Sequence, residues 1–447
     1  MKTQSTGSLA KVLGRASHQC SIDWAEDRAA LIARILVLGI VISMTRFFAL
    51  TNLFEFFLLF LCLINQSLRK QILQAFRDPR VALVFIFWSW VLVACLWGQA
   101  PPFEKFQDWW SWRKLMLVPI CFVLFRREID KYWLAAALFT ACSAYMILSW
   151  LGYLNLITLD RDPTQLLENH STQGILFSAA CIFGFFFARE STAFIRIFLV
   201  VLSIGFFANV LFLSTGRAGY LFLVTSVLTL IFLGLKRNRI LLTLISSLLL
   251  TLFVASSETA RTRINQGFVE IVNVNEETEM NSVGFRMIAW QNTLTLVSDK
   301  FVFGSGSGSF RYDYGNLIDP SGAWIERMAE DPRYNQNLGD WRLRIIDDPH
   351  QQYLHIFAEY GLIGLLIFVA MLFSWIFYRT DRNNFFVNMA VAFVIGTAAN
   401  SLFNGHFSAF VEGRFLWIFL SAFMSGTGFF CAIGPWRLKR KQPTLTD

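Results

Sequence analysis

Residues 193–235 of the chain are AFIRIFLVVLSIGFFANVLFLSTGRAGYLFLVTSVLTLIFLGL. This stretch consists of two apolar runs, 193–213 and 218–235, which are separated only by the four residues from Ser214 to Arg217. A helix needs about 20 apolar residues to cross the hydrocarbon core of a bilayer, and each run comes close to that length. The stretch therefore predicts two membrane helices joined by a very tight turn, and hence an all-α membrane protein.

The same composition continues along the rest of the chain. Of its 447 residues, 55% are hydrophobic and 16% are charged, and the mean hydropathy is +0.49. Since soluble proteins contain about 25% charged residues, this composition excludes an ordinary soluble enzyme. Further apolar runs raise the predicted number of transmembrane helices to about twelve. They lie near residues 30–48, 51–67, 81–97, 113–125, 132–156, 172–188, 239–256, 351–378, 385–401 and 412–434.

Lysine and arginine residues predict the orientation of these helices. Alternate connections carry most of them, for example Arg69, Lys70, Arg126 and Arg127, whereas the opposite short connections carry few. Because positively charged loops remain in the cytoplasm, both chain termini are predicted to be cytoplasmic. Basic loops at an anionic membrane surface also explain the net charge of +8, so we expect no nucleic acid partner.

One connection, residues 257–350, is far longer than the others and faces outward in this topology. Loops of this length are commonly functional. Within it, residues 284–298 have the spacing of an amphipathic helix in a small helical cap, and Gly304, Gly306 and Gly308 predict a flexible turn. The predicted domains are a membrane bundle of about nine helices at 1–256, the outward helical loop at 257–350, about three membrane helices at 351–435 and a cytoplasmic tail at 436–447.

Two outward arginines are candidates for binding an anion. Arg217 lies in the tight turn, where a charge is costly unless it faces a cavity or a partner. An interfacial anchor is the structural alternative, but the small neighbours of Arg217 leave room for a ligand. Arg286 shares a helix face with Trp290, so it either stacks on that ring or points at an anion.

His350 is the candidate base. It follows Asp347, Asp348 and Pro349, a sequence typical of a helix N-terminus, so His350 is predicted in the first helical turn. A nearby carboxylate could orient its imidazole for proton transfer. The alternative is a capped helix start without catalytic function.

Metal, disulfide and nucleotide sites are not expected. One of the seven cysteines lies in the N-terminal segment and the other six lie in apolar runs, which excludes a disulfide framework or a cysteine-ligated metal. Asp160 and Asp162 have the spacing of a metal-binding pair, but such pairs arise easily by chance. The Gly304–Gly308 run lacks the strand and helix of a dinucleotide site.

Several short motifs together resemble the O-antigen ligase and polymerase superfamily. They are Arg286 with Trp290, Gly304-Ser-Gly-Ser-Gly-Ser-Phe310, His350-Gln-Gln-Tyr353-Leu354, Gly361-Leu-Ile-Gly364 and Ser-Thr-Gly216-Arg217-Ala-Gly219. The resemblance covers about residues 200–375 and is greatest to the WaaL-type O-antigen ligases. Members of that family often have asparagine after the histidine, where this chain has Gln351, which keeps an amide donor and acceptor.

The resemblance implies a metal-independent, inverting glycosyltransferase of the GT-C type, without a cofactor. It implies a location in the bacterial inner membrane and an active site on the periplasmic side. The implied partners are a glycan on undecaprenyl pyrophosphate as donor, a lipid A–core acceptor and membrane lipid. The implied site residues are His350 as the catalytic group, Arg217 and Arg286 as substrate-binding groups, and His170, Arg311 and Tyr353 as additional ones.

Three other functions compete with the ligase. An O-antigen polymerase uses the same donor chemistry, and the sequence separates it poorly from a ligase. A protein O-oligosaccharyltransferase usually carries an added C-terminal domain. A transporter or flippase would carry charges buried in mid-membrane, whereas Arg34, Arg46 and Glu55 are predicted to be near helix ends or isolated.

Overall fold

A computed structural model describes residues 28–214, 216–235, 238–256, 258, 261–262, 265, 283–331, 334–338, 343–378 and 383–426. Within these residues the regular secondary structure is entirely helical, without a strand. The predicted all-α fold class is therefore confirmed. The N-terminal segment with its cysteine, Cys20, and the predicted tail at 436–447 lie outside the described residues, as does most of 257–282.

The α-helices are numbered here in chain order. Before the long connection they are Arg28–Ser43 (α1), Phe48–Ile64 (α2), Gln66–Ala75 (α3), Pro79–Ala94 (α4), Pro102–Ser111 (α5), Leu117–Leu124 (α6), Glu128–Tyr153 (α7), His170–Arg189 (α8), Ala193–Ala208 (α9), Arg217–Gly234 (α10) and Arg239–Ser256 (α11). The connection contains Val283–Asp299 (α12), Phe310–Ile318 (α13), Trp324–Glu330 (α14) and Tyr334–Asn337 (α15). Gln352–Phe377 (α16), Phe385–Asn400 (α17) and Phe410–Met424 (α18) follow.

Five of the described helices are long and apolar enough to cross a membrane. They are α7, α8, α9 with its extension to Leu213, α10 and α16. Helices α2 and α3 are bent by 97° at their junction and would raise the number to six if they form one span. Each predicted apolar run contains a helix, but several, such as α4 and α17, are shorter than a full span, so the number of twelve stays a prediction.

Helix α8 lies at the centre of the bundle. In the 18-residue apolar stretch of α8, 89% of the stretch is buried inside the protein. In the corresponding stretches of α7, α9, α10 and α16, the buried share is 28–50%. Phenylalanines fill the space around it: the ring of Phe183 lies 5.6 Å from that of Phe393 on α17 and 5.5 Å from that of Phe419 on α18. Rings and alkyl chains bury large apolar areas without leaving polar atoms unpaired, which suits a core far from water.

The long connection forms a small helical cap with its own core, as predicted for this segment. Helix α12 contributes Phe285, Ala289 and Val297, whose spacing of four and eight residues places them on one face. Phe310 and Tyr314 of α13 pack against them, and the cluster is completed by Ile346 and Ala358. Since Ala358 belongs to α16, the cap is attached directly to a membrane-length helix.

The glycine–serine run is a packed insertion, so the predicted flexible turn is wrong. Helix α16 is broken at Gly361, which has φ 69° and ψ −172°. The backbone N–H groups of Ser305 and Gly306 donate to the carbonyl oxygens of Ala358 and Glu359, both over 2.8 Å. In return, Leu362 N–H donates to Phe301 O over 2.9 Å. The run thus satisfies the polar groups that the break in α16 leaves free, as buried backbone groups require.

The glycines of this run are required by sterics as well as by conformation. Gly304, Gly306 and Gly308 all have positive φ, a region that L-residues rarely adopt. A Cβ atom on Gly306 would lie 2.5 Å from the Cα of Gly98, and one on Gly361 would lie 2.2 Å from the carbonyl oxygen of Val302. The glycines therefore allow two backbone segments to touch.

Glu55 is not isolated, contrary to the prediction. It is 3% exposed, and its Oε2 lies 2.9 Å from Nε and 2.5 Å from Nη2 of Arg414, which is fully buried in α18. Arg113 provides a second positive charge, 3.7 Å from Oε1 of Glu55. A buried carboxylate needs such partners because its transfer from water is costly. This ion pair joins α2 to α18.

Candidate active site

The turn before Arg217 is short, as predicted. A π-helical segment, Asn209–Leu213, ends α9, and α10 begins at Arg217; Thr215 between them lies outside the described residues. The Tyr220 hydroxyl donates to the carbonyl oxygen of Ser214 over 2.5 Å. These contacts fix the position at which α10 begins.

Close packing places this turn against the start of α8. A Cβ atom on Gly219 would lie 2.8 Å from the Cα of Gly174, so the two helices touch at their glycines. A Cβ atom on Gly216 would lie 3.0 Å from the carbonyl carbon of His170. The turn that carries Arg217 is therefore next to His170, a predicted additional site residue.

Arg217 has the electrostatic environment of an anion site. Its side chain is exposed, and within the described part of the chain it forms no ion pair. It is the first residue of α10, whose first turn contains no acidic residue and whose N-cap, Gly216, has no side chain to accept a hydrogen bond. The N–H groups of a first helical turn have no partner within the helix, and together with the positive end of the helix dipole and the guanidinium they would favour an anion at this position.

His350 does not lie in the first turn of a helix, contrary to the prediction. Helix α16 begins at Gln352, and the N-cap is Gln351, whose side-chain oxygen accepts from Leu354 N–H over 2.5 Å. His350 precedes the cap and has φ 51°. Positive φ is uncommon outside glycine and marks a backbone held by its surroundings, often at a functional site.

Asp348 holds His350 in this conformation. Its Oδ1 accepts from the backbone N–H of His350 over 2.6 Å and lies 3.4 Å from Nδ1 of the imidazole. If Nδ1 carries the proton, it points at the carboxylate and leaves Nε2 as the free base. Both side chains are partly exposed, so a substrate can reach the ring.

The helix of Arg286 packs on the segment that carries His350. Trp290 donates from Nε1 to the carbonyl oxygen of Pro349 over 2.9 Å. The ring of Phe285, the residue before Arg286, lies 6.5 Å from the His350 ring. Arg286 itself is half-buried on the same helix, one residue from Phe285 and four from Trp290.

The two remaining candidates are placed differently. Arg311, on α13, contacts the His350 segment, because its Nε lies 3.4 Å from Oδ1 of Asp347. The Tyr353 hydroxyl donates to the carbonyl oxygen of Ala398 on α17 over 2.8 Å. Tyr353 thus joins α16 to α17 by its polar atom, a structural contact.

A series of polar contacts connects the His350 segment with the start of α8. Gln352 accepts on Oε1 from the backbone N–H of Phe407 over 3.2 Å. His406 precedes Phe407, and its Nδ1 lies 3.7 Å from Oε1 of Glu412. The same Glu412 oxygen accepts a hydrogen bond from the Thr172 hydroxyl over 2.7 Å. Arg286, Arg311 and His350 are therefore grouped at one side of this series of contacts, and His170 with Arg217 at the other.

Glu412 was not predicted as part of this arrangement. It is 3% exposed and lies at the start of an apolar run, where an acidic residue is expensive and needs a partner. An acidic residue at the start of an apolar run is the sequence feature that could have identified Glu412. Its partner Thr172 is 240 positions away, and periodicity carries no information on such a pairing.

Comparison with known proteins finds a match for the middle of the chain. Residues 198–369 match the family model described as O-Antigen ligase. The matched range includes Arg217, Arg286 and His350 and agrees with the range of the resemblance found from the motifs. No curated protein matches the chain.

Proposed function

Because residues 198–369 match the O-antigen ligase family model, we propose that the chain belongs to the O-antigen ligase superfamily and is an O-antigen ligase. It transfers a glycan from undecaprenyl pyrophosphate to a sugar hydroxyl of a lipid A–core acceptor, with inversion at the anomeric carbon. We place it in the bacterial inner membrane with its site on the periplasmic side, where both lipid-linked substrates are accessible.

The position of Arg217 carries this proposal. An exposed guanidinium at the positive end of a helix, without an acidic residue in the first turn, fits a ligand with several negative charges. The pyrophosphate of the donor is such a ligand. As the bond from the anomeric carbon to pyrophosphate breaks, its electrons pass to the leaving oxygen, and Arg217 stabilises the charge that develops there. Arg286, on α12, acts as a second cation.

His350 acts as the base in this reaction. Asp348 orients Nδ1, and Nε2 accepts the proton of the acceptor hydroxyl while its oxygen forms the new bond to the anomeric carbon. One bond to carbon forms and one breaks, the proton goes to His350, and undecaprenyl pyrophosphate leaves as an anion. The donor is already activated, so the step needs no nucleotide.

Lipopolysaccharide analysis tests the function. In cells without the gene, we expect all long-chain lipopolysaccharide to be lost from a gel and the lipid-linked glycan to accumulate. A core that carries a single repeat unit would instead identify a polymerase, and an unchanged gel would refute both.

The second test replaces the base without disturbing its backbone. Asparagine tolerates positive φ better than alanine does, so His350→Asn removes the base and keeps the conformation. We expect transfer to fall at least about 100-fold, as is usual for the loss of a general base. Arg217→Lys keeps the charge but loses the fork of donors, and we expect a smaller loss. Full activity of His350→Asn in the transfer assay would refute the mechanism.

A further inference from the structure

Helix α5 exposes three aromatic side chains on one of its sides. Phe103, Phe106 and Trp110 are 73%, 53% and 40% exposed. Their spacing of three and then four residues places them on one side of the helix, which we call the aromatic face. The rings of Phe106 and Trp110 are stacked, with their centroids 5.8 Å apart. Large apolar side chains that are exposed together mark a surface that binds an apolar partner.

The opposite side of α5 is bound to the cap and to α16. The Tyr312 hydroxyl of α13 donates to Oε1 of Glu104 over 2.8 Å. The Tyr360 hydroxyl, one residue before the break in α16, donates to Oδ2 of Asp108 over 2.8 Å. Burial, and then the neighbouring Glu359 carboxylate, raise the pKa of Asp108 to about 8, so this carboxyl is mostly protonated near neutral pH. Protein groups therefore satisfy the polar side of α5, and the aromatic face lies on the other side.

Two contacts place α5 beside α4, at the end of α4 that is outward in the predicted topology. The Cys95 thiol, at the C-cap of α4, donates to the carbonyl oxygen of Lys105 over 3.6 Å. Nε1 of Trp88 donates to the carbonyl oxygen of Trp109 over 3.4 Å, and the two indole rings are stacked with their centroids 4.9 Å apart. Because Trp88 lies about 10 Å below Cys95 along α4, helix α5 descends alongside α4 instead of projecting from it.

The aromatic face continues the exposed apolar surface of the neighbouring membrane helices. Val93, at the same end of α4, is 42% exposed. On the other side, the guanidinium of Arg113 lies 5.4 Å from the Trp110 ring and donates to Oδ1 of Asn52 on α2 over 3.0 Å. Leu53, the next residue of α2, is 47% exposed. Aromatic rings beside a cation, at the end of membrane helices, are typical of the level of the lipid headgroups.

We propose that α5 is an interfacial helix, and that its aromatic face binds the lipid of the outward leaflet. This role does not depend on glycan transfer and requires only that the chain lies in a membrane. The apolar face of an interfacial helix lies about 5–10 Å below the headgroup boundary. Gln107, exposed at the edge of the aromatic face, suits that depth better than the hydrocarbon core. Through Glu104 and Asp108, α5 thereby joins the cap to the membrane surface.

Fluorescent labels on single added cysteines test this contact. Full-length Phe106→Cys protein is labelled with bimane in nanodiscs of phosphatidylethanolamine and phosphatidylglycerol. Its emission is measured with iodide in the water, or with nitroxide lipids that carry the quencher either near the headgroup or deep in the acyl chain. We expect the shallow lipid quencher to remove at least about twice the emission that iodide removes. Protein without the added cysteine, treated in the same way, gives the background from the native thiols.

Two other exposed apolar positions are the matched controls. Val201 is 60% exposed at the middle of α9, so a label in Val201→Cys should respond most to the deep lipid quencher. Ile325 is 46% exposed on α14 of the cap, so a label in Ile325→Cys should respond most to iodide. Labels in Phe103→Cys and Trp110→Cys report the tilt. Since α5 descends along α4, the label at Trp110 should be the deeper of the two.

Three other results would overturn the proposal. If iodide quenches the Phe106→Cys label as strongly as the Ile325→Cys label, the aromatic face lies in water, where it could bind a glycan. If no quencher reaches the label, a second protein chain covers the face. If the deep lipid quencher dominates as at Val201, α5 lies in the hydrocarbon core. Should Phe106→Cys unfold, as shown by its melting temperature, the Phe103→Cys label on the same face decides the question.

Discussion

At the residue scale, single buried charges affect the stability of the protein, and the pH dependence of stability caused by Asp108 is a measurable example. Its pKa of about 8 in the folded protein lies far above its ordinary value of 3.8. The unfolded chain thus binds fewer protons than the folded one between about pH 4 and about pH 8, so this residue makes stability fall as pH rises through that window. We expect Asp108→Asn, which cannot ionise, to raise the melting temperature at pH 7 and to weaken its pH dependence.

A matched acidic residue gives the opposite result. Asp313 is paired with Lys300, whose Nζ lies 2.7 and 2.8 Å from its two oxygens, and an asparagine at this position would lose the ion pair. Asp313→Asn should lower the melting temperature at pH 7. Melting curves of both variants in detergent, recorded from about pH 5 to about pH 8, check the pair; equal shifts would contradict the assignment.

Some of these residues could be predicted from the sequence and others could not, for a physical reason. Arg217 and His350 could be found because a cation in a four-residue turn and a histidine after two aspartates are local signals. The conformation of His350 could not be predicted, since it depends on a hydrogen bond from its backbone to Asp348 and on the packing of α12. Asp108 and its hydrogen-bond partner Tyr360 are 252 positions apart, and no local pattern connects them.

At the element scale, the important feature is the break in α16, which the cap fills. Apolar length predicted the helix correctly, but not its break, because Gly361 within an apolar run is also compatible with a continuous helix. The glycine–serine run predicted a turn and gave no indication of the surface it packs on. Both features follow from the same interaction, in which each segment supplies the hydrogen bonds that the other lacks.

Three glycine-to-alanine variants separate the components of this interaction. At Gly361, alanine would meet both the positive φ and a clash with Val302. At Gly322, the φ of 74° is equally unfavourable but no atom lies within 4 Å of the added Cβ, so only the strain of about 1–2 kcal/mol applies. At Gly234, in a helix and with open space, alanine should be neutral or stabilising.

The expected order of stability is therefore Gly234→Ala, then Gly322→Ala, then Gly361→Ala. Thermal unfolding in detergent gives the order directly, and transfer activity should be lost only in the last. If Gly361→Ala were as stable as Gly322→Ala, the contact between the break and the cap would not have the strength that the geometry indicates.

At the scale of the whole molecule, the candidate site is held together by polar contacts between distant helices. The group around His350 belongs to the cap and α16, and the group around Arg217 to α8 and α10. Glu412 on α18 accepts a hydrogen bond from Thr172 on α8 and lies beside His406. The residue after His406, Phe407, donates its backbone N–H to the side chain of Gln352 on α16. Apolar packing determines which helices neighbour each other, and these few polar contacts fix the position of one group relative to the other.

A double-mutant cycle tests this coupling. Thr172→Val and Glu412→Gln each weaken the bond of 2.7 Å, and each should destabilise the protein by about 1–3 kcal/mol, the cost of leaving a buried polar group unpaired. Combined, they should cost less than the sum, because the second change removes a bond that the first has already broken. Thr229→Val is the control: its hydroxyl bonds the carbonyl of Thr225 within α10, so its effect should add to that of Glu412→Gln.

Transfer activity should follow the same pattern, with both single variants reduced and the double variant little worse than either. Strict additivity of Thr172→Val with Glu412→Gln would show that Glu412 does not join the two groups, and the relative position of Arg217 and His350 would then have to depend on apolar packing alone.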